Sequence, residues 1–257
     1  MKNRLTNNIS KKLLIVIPTY NEALNIKKLI DIIRKHIANC GLLIVDDNSS
    51  DGTADIVKEI QKNDKNTFLL QRESKLGIGT AYAAGLKWGL NNGYEYLAQM
   101  DADLSHDPRY LKLLTEKIYE YDFVIGSRNI EGGKVLNWPM ARKILSKVGN
   151  FYARKVLSIP IYDLTGGFNI WRKTVLEDIN LNEVESADYS FNIELKYKAY
   201  KKGYSFIEIP ITFKNRVCGV SKLSLRIILD AFWKALNFRI NLKKINKGLA
   251  DFMNNSG

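Results

Sequence analysis

Apolar positions along the chain follow two rhythms that take turns. Short unbroken runs at residues 13–17, 42–45 and 67–70 have the length of buried strands, and after each comes a stretch with helical spacing. From about residue 22, Ile26, Ile30, Ile33 and Ile37 form one stripe; after the turn Asp51-Gly52-Thr53, residues Ile56, Val57 and Ile60 form another. Residues 78–90 read as a further helix, 94–100 as a strand ending at Asp101, Pro108 as the first turn of the next helix, and 123–126 as a strand leading into Ser127 and Arg128. Strands joined in this way by crossover helices predict an α/β fold, a mostly parallel central sheet with helices on its faces.

Past residue 128 the alternation is less regular. A loop punctuated by Gly and Pro leads to a basic helix at 140–157, a short strand at 168–171, a helix at 189–201 and a strand at 204–213. A last segment, about 223–242, places Leu225, Ile228, Leu229, Phe232, Leu236 and Ile240 along one side, with Arg226, Asp230, Lys234 and Asn237 on the other. Such a helix either packs on the sheet or lies at a membrane interface with Trp233 and Phe238 at headgroup level. The organisation expected is one catalytic-size domain over residues 1–225, with 226–257 as an amphipathic helix and polar tail belonging to it or packed on it.

Composition narrows the class. A chain of 257 residues with 46% hydrophobic and 26% charged residues is globular. Cys40 and Cys218 lie far apart with no Cys-Xaa-Xaa-Cys spacing, which argues against a disulfide framework or structural zinc and fits a reducing, cytoplasmic setting. No apolar run reaches the eighteen or so residues of a membrane span, and the first apolar run is stopped by Pro18 and Thr19, so neither a transmembrane helix nor a signal sequence is expected. Membrane association would be peripheral, on the cytoplasmic face.

Charge changes the picture by its placement. The formal net charge is +12, and residues 132–161 contain no acid while carrying Lys134, Arg142, Lys143, Lys147, Arg154 and Lys155. That bias suits phosphates, nucleic acid or anionic lipid, although a solvated lysine-rich surface explains it equally well. The first half is different. Ligands of open parallel sheets sit beyond the carboxyl ends of the strands, and those ends here are acidic: Glu22 after the first strand, Asp46, Asp47 and Asp51 after the second, Asp101 and Asp103 after the fourth. Such a cluster repels itself and needs a cation or a hydrogen-bonding ligand to compensate. Asp101 and Asp103, one residue apart after a strand, can reach a single hard cation; an isolated pair of this kind would more simply be helix capping.

The wider pattern decides between them. Ile17-Pro18-Thr19-Tyr20-Asn21-Glu22, Val45-Asp46-Asp47 with Asp51-Gly52-Thr53, Asp101-Ala102-Asp103-Leu104, Gly126-Ser127-Arg128, Gly132-Gly133-Lys134 with Asn137-Trp138-Pro139, and Gly219 with Ser221-Lys222 occur in this order. Together they make the chain, to about residue 225, closely resemble glycosyltransferase family 2 and, within it, the polyprenol (dolichol) phosphate mannose synthases. The resemblance implies a GT-A fold and inverting transfer of mannose from GDP-mannose to a polyprenyl phosphate. It implies a nucleotide pocket of Pro18, Tyr20, Glu22, Val45 and Asp47, and a metal and diphosphate site of Asp101, Ala102 and Asp103 holding Mg²⁺ or Mn²⁺. Ser105, which stands where some relatives carry Gln beside the metal motif, would be a further donor contact. Arg128 and Arg142 would engage the acceptor phosphate, Arg216 and Lys222 the donor diphosphate from a mobile loop, and residues 131–138 would form a flexible acceptor loop bringing Lys134 to phosphate. Asp101, Asp103 and Arg128 are the residues expected to carry catalysis. Some relatives are held at the membrane by C-terminal spans; here a small membrane partner or the basic second half would take that part.

Elementary chemistry agrees. A departing nucleoside diphosphate needs its charge stabilised, which a metal ion with Arg or Lys provides, and an acceptor phosphate needs no general base because it is already anionic. His36 and His106 are accordingly expected to be noncatalytic, with His106 a candidate extra ligand beside the Asp motif. Gly77-Ile78-Gly79 follows the third strand rather than the first and lacks a third glycine, which argues against a dinucleotide fingerprint; the resemblance implies instead a glycine-rich turn packing a helix N-terminus near the nucleotide. Two other readings stay open. A UDP-sugar donor or a saccharide hydroxyl acceptor would want a carboxylate base, for which Asp163 and Glu194 are candidates. A basic nucleic-acid module would leave the acidic strand ends unexplained, so nucleic acid is not expected as a partner.

Overall fold

The computed structural model describes residues 11–184, 186, 188 and 190–215. In chain order the strands are β1 (Leu13–Thr19), β2 (Gly41–Asp46), β3 (Thr67–Gln71), β4 (Tyr96–Gln99), β5 (Phe123–Ser127), β6 (Lys134–Leu136), β7 (Asn169–Arg172), β8 (Phe206–Pro210) and β9 (Thr212–Lys214). The helices are α1 (Ala23–His36), α2 (Thr53–Asn63), α3 (Ile78–Asn91), α4 (Tyr110–Lys117), α5 (Met140–Leu157), α6 (Lys173–Ile179) and α7 (Ser190–Lys201). Among these, no helix is long and apolar enough to cross a membrane.

Seven strands form one sheet in the order β3-β2-β1-β4-β7-β5-β8. Neighbours β3, β2, β1 and β4 are mutually parallel, as are β5 and β8, whereas β7 runs antiparallel to both β4 and β5. The alternation of side chains along β1 explains its unbroken apolar run. Leu14 and Val16 join one core cluster with Leu43, Val45, Tyr82, Leu86, Trp171 and Phe191, while Leu13, Ile15 and Ile17 join the other with Ile26, Leu29, Ile33, Ile44 and Val57. A strand covered by helices on both faces must be apolar at every position. Helix α3 lies so close to β1 that a Cβ on Gly85 would collide with Val16, which is why the backbone there is bare.

The second half departs from the expected layout. The strand read at 204–213 is two strands, because Pro210 has no N–H to continue the ladder and the chain swings away at Ile211 into β9. The segment 131–138, read as a flexible loop, contains β6, which pairs in parallel with β9 at Lys134↔Thr212, Val135↔Phe213 and Leu136↔Lys214. The helix expected to open at Pro108 begins at Tyr110. The amphipathic segment at 223–242, with Arg216, Cys218 and Lys222, lies outside the described residues.

Candidate active site

A cleft of about 240 Å³ opens at the carboxyl ends of β1, β2 and β4, lined among others by Pro18, Tyr20, Glu22, Asp47, Asp101 and Asp103. Local bonding shows how each wall is built. Of the two aspartates ending β2, Asp46 is spent on structure: its fully buried carboxylate accepts from Thr19 Oγ1 at 2.8 Å and from Ser49 N and Oγ at 2.9 and 2.6 Å. Asp47 faces the cleft, ion-paired with Arg72, which also donates to Thr80 Oγ1 at 2.8 Å and Gly77 O at 3.2 Å. One guanidinium thereby ties the aspartate to the turn that starts α3. Glu22 is held from its own helix start, where Oε2 accepts from Asn25 Nδ2 at 2.8 Å. Lys75 lies 4.2 Å from the centroid of the Tyr20 ring and supplies a cation to an otherwise acidic wall. Val45 does not line the cleft; its side chain is fully buried beside Val16 and Gly85.

Asp101 follows β4 after Met100. Its Oδ1 accepts from Tyr82 Oη at 2.7 Å, and its backbone N–H donates to His106 Nδ1 at 3.1 Å. His106 is buried between Phe168 and Phe213, at 5.0 and 5.3 Å between ring centroids. Burial holds its pKa below the ordinary value, against the pull of Asp101 and Asp103, which fits a neutral ring accepting at Nδ1. With Nδ1 so occupied, His106 orients the Asp motif through the backbone and does not offer that nitrogen to a metal. Asp103 Oδ1 accepts from Ser105 N at 3.1 Å and Ser105 Oγ at 2.5 Å, across a turn in which Leu104 adopts φ +61°. Ser105 is buried and does not line the cleft; it fixes the carboxylate that does. Among the described residues no three His, Cys, Asp or Glu gather as a metal-holding group. Asp101 and Asp103 are two hard oxygen donors on one cleft, a set suited to a Mg²⁺- or Mn²⁺-like ion that completes its shell from a bound ligand.

The basic residues occupy a neighbouring layer. Arg128, expected to meet phosphate, makes a bidentate pair with the fully buried Asp163 at 2.7 and 2.8 Å and donates to Thr165 Oγ1 at 2.9 Å. Burial pushes the Asp163 carboxyl up, but Arg128 and Lys196 outweigh it and hold the pKa at about 2. Lys196, itself fully buried, donates to the carbonyls of Asp163, Leu164 and Gly166, so residues 163–167 are clamped. The clamp matters to the cleft because a Cβ on Gly167 would stand 3.5 to 3.6 Å from Asn192 Nδ2, Asp101 Oδ1 and Tyr82 Oη. Asp163 and Glu194, considered as bases, are both bound in place: Glu194 is buried, pairs with Lys198 at 2.8 Å and accepts from Ser186 N.

Arg142, in the first turn of α5, stacks 3.9 Å from the Trp138 ring centroid, with Arg128 at 5.9 Å from the same ring. The Trp138 indole N–H is buried without a hydrogen-bond partner among the described residues. Phe213 joins the two layers, lying 5.3 Å from His106, 5.4 Å from Trp138 and 5.2 Å from the Arg128 guanidinium. Lys134 is exposed on β6. Sequence reasoning missed Arg72, Lys75, Tyr82 and the cleft-lining Asp188. Only the closeness of Lys75 to Gly77 in the chain offered a signal.

The profile of the family described as Glycosyl transferase family 2 matches residues 14–180. The chain is 41% identical over 233 residues to the polyprenol monophosphomannose synthase of Mycolicibacterium smegmatis, covering 90% of this chain and 88% of that protein. It is 38% identical over 242 residues to the undecaprenyl-phosphate mannosyltransferase of Micrococcus luteus, covering 90% of this chain and all of that one. A solved structure of glucosyl-3-phosphoglycerate synthase from Mycobacterium tuberculosis, in complex with Mn²⁺, UDP and glucosyl-3-phosphoglycerate, superposes with a TM-score of 0.61 at 16% identity, over 93% of this chain and 82% of that one. That likeness is one of fold, the mostly parallel GT-A arrangement. By profile and by identity, the chain belongs to glycosyltransferase family 2 and is a glycosyltransferase.

Proposed function

We propose that the enzyme transfers mannose from GDP-mannose to a polyprenyl phosphate, with inversion at the sugar carbon. The observation that carries the reading is the juxtaposition across Phe213: an acidic cleft on one side and two guanidinium groups sharing the Trp138 ring on the other. The buried Trp138 N–H, which has no hydrogen-bond partner among the described residues, and the Arg142 guanidinium on the same ring are groups that suit an anionic ligand. The names of the two relatives supply its chemistry, a polyprenyl or undecaprenyl phosphate receiving mannose.

Pro18, Tyr20, Glu22 and Asp47 would hold the nucleoside, and Lys75 would shield the negative charge of the donor. Asp101 and Asp103 would hold Mg²⁺ or Mn²⁺, beside the Ala102 backbone; the metal, when bound, offsets the charge of the departing diphosphate. Arg216 and Lys222, outside the described residues, are proposed as further diphosphate contacts. The acceptor phosphate, whose second pKa is about 6, attacks the anomeric carbon as an anion from the face opposite the leaving group. No proton has to be removed. Arg142 and Lys134 would steer that phosphate. Arg128 takes part through the loop it clamps, because reaching a phosphate would mean trading Asp163 for it.

A second reading has one observation in its favour. Asp188 lines the cleft and is a carboxylate of the kind a hydroxyl acceptor requires, whereas Asp163, held at about 2, is a poor base. A transfer assay with radiolabelled GDP-mannose or UDP-glucose, offering either polyprenyl phosphate or a free saccharide, distinguishes them. Labelled lipid from GDP-mannose, lost on chelation, is the expected result. Label in the saccharide alone, or from UDP-glucose alone, would overturn it.

A further inference from the structure

Helix α5 is built inside out on one side. Its inner face is fixed: Asn150, Ala153 and Leu157 are buried, and Asn150 Oδ1 accepts from Leu164 N at 2.8 Å and Thr165 N at 3.2 Å. Its outer face ought to be polar. Instead Met140, Ile144, Val148 and Phe151 are 69%, 56%, 51% and 60% exposed, the largest contiguous run of exposed apolar side chains on any one described helix. At about 100° per residue these four fall within an arc of about 80° and extend about 16 Å along the axis. Lys143, Lys147 and Arg154 border that arc on one side, and Lys155 stands within it, 5.7 Å from the Phe151 ring. The sequence holds no carboxylate between residues 132 and 161. Beside the stripe Tyr162 is 45% exposed, with the Arg154 guanidinium 3.9 Å from its ring.

We propose that this face of α5 docks on an anionic lipid bilayer, lying in the headgroup plane with the four apolar side chains inserted and the basic border on the lipid phosphates. A narrow apolar arc with Lys and Arg along its flank is the pattern of an interfacial helix. Charge complementarity selects the occupant. A second copy would bring the same four cations against their equivalents. Residues 216–257 of this chain, with eight Lys or Arg against two Asp, carry the same sign and would also be repelled. Anionic headgroups alone among these reverse the sign. Docking here would hold the N-terminal end of α5, whose inner side carries Arg142, within about one helix diameter of the surface where a lipid phosphate is carried. The proposal therefore deepens the lipid-acceptor reading and takes its purpose from it, while its evidence is independent.

Flotation of the full chain with vesicles of phosphatidylcholine, alone or mixed with phosphatidylglycerol, tests it, with transfer to detergent-dispersed polyprenyl phosphate measured in parallel. The wild-type chain is expected to float with the anionic vesicles. Ile144→Glu/Phe151→Glu should lower the bound fraction by about tenfold or more while leaving the melting temperature and the detergent-phase transfer unchanged. Leu113→Glu, on the exposed face of α4, should leave flotation as in the wild type. Undiminished flotation of the double variant would place the contact elsewhere in the chain and overturn the proposal. So would an active wild-type chain that ignores anionic vesicles, or a double variant whose only change is loss of a dimer in sedimentation. Failure of transfer with intact flotation would instead overturn the acceptor reading.

Discussion

Asp103 has its position fixed twice, by the turn around Leu104 and by two hydrogen bonds from Ser105. A carboxylate placed so firmly on a cleft is suited to holding a charge in place when the leaving group departs. Asp103→Ala is accordingly expected to lower kcat by about a thousandfold or more, with the far-ultraviolet circular dichroism unchanged. Retained activity would remove Asp103 from the metal site. Ser105→Ala leaves the carboxylate in place and loosens it; a smaller loss, of about tenfold, is expected together with weaker apparent metal affinity in a Mn²⁺ titration. The pair was legible in the sequence because one intervening residue after a strand end is itself a pattern. Arg72 and Tyr82 were not legible: one follows an ordinary strand and the other occupies an ordinary helical position, and both gain their roles only through partners 25 and 19 residues away.

At the scale of elements, the clamp on residues 163–167 joins β5, α5 and α7 through Arg128, Asn150 and Lys196. Asp163 is held well below its ordinary value, so its contribution to stability is complete above about pH 4 and is lost as pH falls toward about 2. In that window the loss is on the order of 2 kcal/mol. Arg128→Met would leave a buried carboxylate without its cation and is expected to cost about 3–5 kcal/mol at neutral pH. Its unfolding free energy should also be flatter with pH between 4 and 2, since Asp163 would already be protonated there. Denaturant melts across this range check both; an unchanged slope would show that the pair does not govern the clamp.

The elements also show what local pattern can carry. Strands β1 and β2 were readable because burial on both faces forces continuous apolar runs. The strand at Asn169–Arg172 was expected, but its antiparallel direction was not, since direction resides in the connections and not in the run. Strands β6 and β9 are three residues long and partly exposed, too short to show alternation, and the break at Pro210 turned one expected strand into two.

For the molecule as a whole, charge is unevenly placed. Carboxylates gather at the ends of the first strands and cations on the segment from 132 to 161, with Phe213 and the clamped loop between them. Separation of this kind lets one enzyme bring a leaving diphosphate and an incoming phosphate together without their repelling each other at the point of attack. Arg142→Glu should therefore raise the apparent KM for polyprenyl phosphate by about tenfold or more and leave the KM for the donor near the wild-type value. Equal effects on both would contradict a division into donor and acceptor sides. Much of this division was visible in the sequence as acid-free and acid-rich stretches; the meeting of the two was not, because it depends on a turn after β8 that brings Phe213 between His106 and Trp138.

Titration calorimetry of the purified chain with GDP-mannose, with Mn²⁺ or Mg²⁺ present and again after chelation, is the most direct test of the acidic cleft as a metal-assisted sugar-nucleotide site. Saturable heat at one equivalent with metal, abolished by the chelator and by Asp103→Ala, is the predicted result. Absence of heat from well-folded protein with metal and any sugar nucleotide would contradict it.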